Sequence, residues 1–98
     1  MKGEAKEKKK KKSLVYLVEC ADGTLYCGWT NDIQERLKAH NEGIGAKYTR
    51  SRRPVTLAYI EEAENRSAAL RRERQIKRMK REKKLEMIRT SDAPTRSP

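Results

Sequence analysis

Residues Leu14–Thr30 read LVYLVECADGTLYCGWT. Two apolar runs, rich in β-branched and aromatic residues, flank Ala21-Asp22-Gly23-Thr24, which is the composition of a β-hairpin. Tyr16 and Tyr26 stand ten residues apart within it. If Asp22-Gly23-Thr24 forms a three-residue loop with Gly23 left-handed, the numbers of paired residues sum to an even value. Side chains alternate along a strand, so both phenols then share one face. A two-residue loop would place them on opposite faces. The three-residue loop is the expectation, and with it a site containing both tyrosines.

Immediately downstream, Thr30 or Asn31 is suited to cap a helix that opens with Asp32, an acid placed near the positive end of the helix dipole. Ile33 and Leu37 supply its apolar stripe and Gly43 its stop. Arg36 and His40 lie four residues apart on one flank, next to the buried edge. Such a pair can clamp a phosphate, since guanidinium offers a planar fork of donors, or it can be two ordinary polar residues at a helix rim.

Residues 43–54, GIGAKYTRSRRP, read as a loop rich in glycine and base. Lys47, Arg50, Arg52 and Arg53 surround Tyr48 and suit a surface that follows a nucleic-acid backbone. Tyr48 itself can stack on a base or pack down on the fold. Pro54 introduces a third strand, Val55–Ile60, whose apolar character suggests cover on both faces. A second helix begins near Asn65 or Ser67 and runs to about Lys80. Ala69, Glu73, Ile76 and Lys80 form its inward stripe, with Glu73 in the middle. Arg72 and Lys77, on the same basic helix, join the candidate phosphate contacts. An unpaired buried carboxylate is costly, so Glu73 needs a partner: an arginine, with Arg36 the candidate, or a magnesium ion. Residues 81–89 suit a short helix burying Leu85 and Ile88.

The chain has 98 residues, a net charge of +11 and no phenylalanine, with a pI near 10. That length allows one small domain, and that charge points to a polyanion, nucleic acid first. Residues 1–12 end in a lysine run and read as a disordered basic arm, and residues 90–98 as a disordered tail, leaving 13–89 as the domain. No apolar run is long enough to span a bilayer. Cys20 and Cys27 have no zinc or Cys-x-x-Cys spacing and suit a reducing compartment, so a cytoplasmic protein is expected.

Taken together, VYL at 15–17, YCG at 26–28, Arg36, His40 and the helical Glu73 resemble the motif set of the GIY-YIG nucleases, in particular their small stand-alone bacterial members. The resemblance spans roughly residues 13–88. The first motif has Val15 where the family has glycine, and the second has Cys27 at its centre. The resemblance implies an α+β (α/β sandwich) fold, a three-stranded antiparallel sheet flanked by helices. It also implies metal-dependent hydrolysis of a DNA phosphodiester on damaged or branched DNA, in repair or recombination. Glu73 would hold one Mg²⁺ or Mn²⁺, Arg36 would neutralise charge on the phosphate, and Tyr16 and Tyr26 would handle the attacking water, one of them as general base. His40 would support that tyrosine or the water. The competing reading is a non-catalytic nucleic-acid-binding module of the same fold, although bare binding has no use for Glu73. A ribosome- or RNA-associated basic protein fits the charge but leaves the motif set unexplained. So small a domain has little surface for reading a sequence, which favours recognition of DNA shape or a specificity-giving protein partner. Oligomeric state is left open.

Overall fold

The computed structural model describes residues 12–91. Apart from Lys12, Thr90 and Ser91, the expected basic arm and tail lie outside the described residues. In chain order the elements are β1 (Ser13–Glu19), β2 (Leu25–Thr30), α1 (Ile33–Asn41), α2 (Lys47–Arg50), β3 (Thr56–Ala63), α3 (Arg66–Lys77) and α4 (Arg81–Thr90). The three strands form one antiparallel sheet in the order β2-β1-β3, which is the expected α+β architecture.

Hairpin register follows from one residue. Gly23 has φ +84°, its N–H donates to the Cys20 carbonyl, and Cys20 N–H donates to the Thr24 carbonyl. The loop is therefore Ala21-Asp22-Gly23, one position earlier than expected. In three-residue hairpins the left-handed residue comes last, after a type I turn, so glycine fixes the end of the loop and not its middle. Parity survives the shift. Val18 pairs with Tyr26 and Tyr16 with Gly28, so both tyrosines face the same side. Asp22 reinforces the turn by accepting from Thr24 N (3.0 Å) and Thr24 Oγ1 (2.6 Å).

The strand covered on both faces is β1, with Val15, Tyr16, Leu17 and Val18 all fully buried. The third strand, expected to have that role, is an edge strand in which Ala58 alone is buried. A register shift in β3 opposite Leu17 and Val18 makes Ala58 the extra residue of a bulge. On one face, Val15, Leu17 and Cys27 pack with Ala69 and Ile76 of α3 and Ile88 of α4. On the other, Tyr16, Val18, Cys20 and Val55 pack with Tyr26, Leu57 and the α1 residues Ile33 and Leu37. Each buried Leu, Ile or Val contributes about 1.5–3 kcal/mol.

Asp32 is the N-cap of α1 and accepts from Glu35 N at 3.2 Å, so it precedes the helix it was expected to open. The helix ends where expected: Ile44 N donates to Ala39 O and Gly43 N to His40 O, with Gly43 at φ +87°, a Schellman stop. Asn41 then clasps the main chain of Val55 with both amide groups, at 3.1 and 2.7 Å. The segment expected as loop over 43–54 contains the single-turn helix α2. Asn65 caps α3, accepting from Ala68 N at 2.9 Å. That helix stops at Lys77, so Lys80 is not on its inward stripe; it is the exposed N-cap of α4. In α4, Ile88 is buried but Leu85 is exposed, contrary to expectation.

Candidate active site

The first half of the site grows out of the shared face of β1 and β2. Tyr16 is fully buried, and its hydroxyl meets two side chains from α1. Arg36 Nε donates to Tyr16 Oη at 3.2 Å, and His40 Nε2 lies 2.8 Å from the same oxygen. Four-residue spacing on a helix that crosses the sheet accounts for both contacts. His40, also fully buried, is held from behind by Thr49 of α2, whose Oγ1 lies 2.8 Å from Nδ1. Tyr26 packs its ring edge-on to His40 and stacks on Tyr48, with centroids 5.4 and 5.8 Å apart.

These contacts set the electrostatics. Burial raises the Tyr16 phenol to about 12, against the pull of the adjoining Arg36 guanidinium. Burial, and then the positive charge of Arg36, push the His40 imidazole below its ordinary value. The hydrogen bond to Tyr16, with further support from Tyr26, holds Arg36 above its ordinary value. The result is a neutral phenol and a neutral imidazole in contact, beside a permanent cation.

Glu73 sits apart from this cluster, on the α3 side, behind Cys27 of β2; the Cys27 thiol points at the Glu73 carbonyl, 3.9 Å away. Its carboxylate pairs with Lys77 Nζ at 3.3 Å, one helical turn on, and not with Arg36 as one reading of the sequence suggested. The i,i+4 spacing brings this pair together locally, whereas Arg36 is already engaged by Tyr16. Lys77 connects the two halves, since its ammonium lies 5.9 Å from the centroid of the Tyr26 ring. The Glu73 side chain keeps 17% of its surface open. Among the described residues no group of three or more His, Cys, Asp or Glu side chains gathers to hold a metal. A single partly open carboxylate still suits Mg²⁺, which keeps several waters and binds one or two carboxylates together with substrate phosphates.

The expected backbone contacts divide into two groups. Lys47 and Arg50 are exposed beside the half-exposed Tyr48. Arg52 and Arg53 are committed to the fold: Arg52 donates to Asp22 (3.0 Å) and to the Tyr48 carbonyl (2.7 Å) and lies 3.9 Å from the Tyr48 ring centroid. Arg53 donates to the carbonyls of Arg50 and Asn41. Arg72 forms a two-pronged pair with Glu61, at 2.7 and 3.2 Å; Glu61 pairs with Val15, on the face of the sheet that packs against α3. Four arginines, Arg71, Arg72, Arg74 and Arg78, line a groove along α3 with Gln75; the sequence showed the base there without singling out Arg71, Arg74 or Arg78. Thr49 was missed altogether, because a hydroxyl nine residues from His40 carries no periodic signal.

Paired tyrosines on one sheet face, joined there by an arginine and a histidine of the next helix, define a class of small α+β domain. The sequence profile of the GIY-YIG catalytic domain matches residues 12–86, and the chain belongs to that family. It is 54% identical over 78 residues to a UPF0213 protein of Syntrophus aciditrophicus, covering 79% of this chain and 90% of that one. A UPF0213 protein of Staphylococcus saprophyticus is 51% identical over 77 residues, covering 79% and 94%. The solution NMR structure of a UPF0213 protein from Bacillus halodurans superposes with a TM-score of 0.54 at 38% identity, covering 84% of this chain and 87% of that one. Among the described residues no helix is long and apolar enough to cross a membrane.

Proposed function

We propose that the protein is a divalent-metal-dependent DNA endonuclease that hydrolyses phosphodiester bonds in structured or damaged DNA, in repair or recombination. The observation that carries this reading is the Tyr16 hydroxyl, buried between Arg36 and His40. A fold has little use for a phenol held against both a cation and a neutral base in its interior. Hydrolysis needs such a group, to take a proton from water beside a charge that steadies the phosphate. Arg36 supplies that charge, and its fork geometry suits a phosphate oxygen. Glu73 would hold one Mg²⁺ or Mn²⁺, which when bound polarises the phosphate and steadies the leaving oxygen. Lys77 holds that carboxylate in place. Tyr48 stacks on Tyr26, and with the exposed Lys47 and Arg50 it would follow the DNA backbone. The outward arginines of α3 extend the basic surface, consistent with affinity that depends on phosphates more than on base sequence.

The test is cleavage of end-labelled single-stranded, duplex, flap and four-way-junction DNA, with and without Mg²⁺ or Mn²⁺, alongside Glu73→Ala. Metal-dependent cutting that is lost in the variant supports the reading, and the preferred substrate narrows the pathway. Binding by the wild type without cutting of any substrate would sink it and leave a nucleic-acid-binding module.

A further inference from the structure

We infer that Thr49 is a positioning residue that fixes His40 as the Nδ1–H tautomer, so that Tyr16, and not Tyr26, is the tyrosine whose proton has an acceptor inside the protein. The tautomer stands on geometry alone; its catalytic consequence rests on the nuclease reading.

Counting protons decides the tautomer. Thr49 has one hydroxyl hydrogen, and its Oγ1 lies 3.2 Å from the Ala46 carbonyl, to which it can only donate. With that hydrogen spent, the 2.8 Å contact to His40 Nδ1 requires Nδ1–H to donate to Oγ1. Nε2 is then bare and accepts the Tyr16 hydroxyl hydrogen across 2.8 Å. Arg36 Nε–H donates to the same phenol oxygen. Every hydrogen in this relay has an acceptor. In the opposite tautomer Nε2–H would donate to Tyr16. The phenol hydrogen would then point at Arg36, which has no lone pair to offer, and Thr49 would have to abandon Ala46. Tyr16, His40 and Thr49 are all fully buried, where an orphaned polar hydrogen costs most. A doubly protonated ring is opposed by the same burial and by Arg36, the one charged group among the described residues in contact with this relay; Tyr16, Tyr26 and Thr49 are the other groups facing the ring.

The approach of α2 to His40 is itself built in. A Cβ on Gly45 would lie 2.6 Å from His40 Nδ1 and 2.8 Å from its main chain. Only glycine lets the Gly43–Ala46 turn pass close enough to deliver Thr49. Proton flow then has a direction. In the reacting complex, where the negative phosphate offsets the charge of Arg36, the Tyr16 O–H bond breaks as an N–H bond forms at His40 Nε2, giving a short-lived imidazolium, disfavoured at rest, and a phenolate beside Arg36. The phenolate takes a proton from the attacking water as the new phosphorus–oxygen bond forms and the bond from phosphorus to the leaving oxygen breaks. That oxygen takes a proton from solvent, and His40 returns its extra proton to solvent when the product leaves, restoring the Nδ1–H ring. Tyr26 meets the imidazole in a T-shaped ring contact, and among the described residues its hydroxyl has no acceptor comparable to His40 Nε2, so it orients and does not deprotonate.

His40 is the sole histidine of the chain, so its ring nitrogens are read without assignment. Long-range ¹H–¹⁵N correlation on ¹⁵N-labelled wild type at neutral pH should show the proton on Nδ1 and a bare Nε2; a proton on Nε2 overturns the inference. Thr49→Val should lose that tautomer preference and lower kcat for cleavage about 10²-fold, the lower end of what a positioned proton acceptor contributes, with KM and DNA affinity unchanged. Thr49→Ser, which keeps the hydroxyl, should restore both. A Val variant with wild-type tautomer and rate overturns the inference, and if that variant does not fold, the wild-type and Ser spectra decide alone. A wild type that cuts no DNA but shows the Nδ1–H ring refutes the nuclease and leaves the tautomer standing.

Discussion

Tyr16 and Gly28 face each other across β1 and β2, and a Cβ at Gly28 would lie 2.5 Å from Tyr16 Oη and 2.8 Å from its Cζ. The glycine of the YCG motif is thus the floor on which the buried phenol lies. The ring is fixed by two hydrogen bonds and cannot swing aside as a surface side chain would. Gly28→Ala should therefore destabilise the protein by about 1–3 kcal/mol, as overpacking does, and reduce cleavage by displacing the hydroxyl from His40. The check is a double-mutant cycle with Tyr16→Phe in urea denaturation. Removing Oη relieves the nearest contact, so the paired variant should be more stable than the sum of the single changes implies. Strict additivity would mean that alanine is accommodated elsewhere.

Tyr16→Phe by itself separates chemistry from binding. The phenol is buried and presents no surface for DNA, so affinity for a labelled duplex should stay within about twofold while cleavage disappears, the proposed general base being gone. Stability should fall by about 1–3 kcal/mol, because His40 Nε2 and Arg36 Nε each lose a buried partner. Equal loss of binding and cutting would make the tyrosine a structural residue only.

How much of this was legible in the sequence depends on the range of the interaction involved. Gly23 announces a left-handed turn position, so the common face of Tyr16 and Tyr26 could be read from chain order, even though the loop lies one residue earlier than expected. Arg36 and His40 were legible as a pair because helical spacing is local. The partner of Glu73 was misjudged for the opposite reason: a search for a distant arginine overlooked the i,i+4 lysine that local geometry supplies first. The runs Leu14–Val18 (LVYLV) and Val55–Ile60 (VTLAYI) look alike as apolar strings, and only the sheet order decides which strand is central. Thr49 could not be found, since its meeting with His40 depends on how tightly a glycine turn folds back.

Glu73 should matter for cutting and little for folding. Its exposed partner Lys77 makes an i,i+4 pair worth about 0.3–0.5 kcal/mol, so Glu73→Gln should melt close to the wild type. Cleavage in Mg²⁺ or Mn²⁺ should fall at least ~10²-fold, comparable to losing one stabiliser of transition-state charge. DNA binding in EDTA should be unchanged or tighter, because a negative charge facing phosphate has been removed. Weaker metal-free binding in the variant would point to a structural carboxylate and against a metal ligand.

The buried imidazole and phenol predict the shape of stability against pH. His40 is held below its ordinary value, near 6.5, by burial and then by Arg36. In acid the unfolded chain therefore binds a proton that the folded protein resists. The stabilisation is fully present above about pH 6.5 and is lost as pH falls through the folded value, with a slope of at most about 1.4 kcal/mol per pH unit. Tyr16 has the opposite sign: its folded value of about 12 exceeds the ordinary phenol value of 10.0, so its contribution is complete below about pH 10 and is lost as pH rises through about 12. Asp22, lowered by its hydrogen bonds from Thr24, titrates below the acid window of His40. Urea denaturation between about pH 5 and 8 should thus show an acid limb that belongs mainly to one side chain. His40→Gln keeps a polar group without a titrating proton; it should start less stable and show a flatter limb. An unchanged limb in that variant would mean that His40 is protonated as readily in the fold as outside it, and the neutral Tyr16–His40 pair would have to be abandoned.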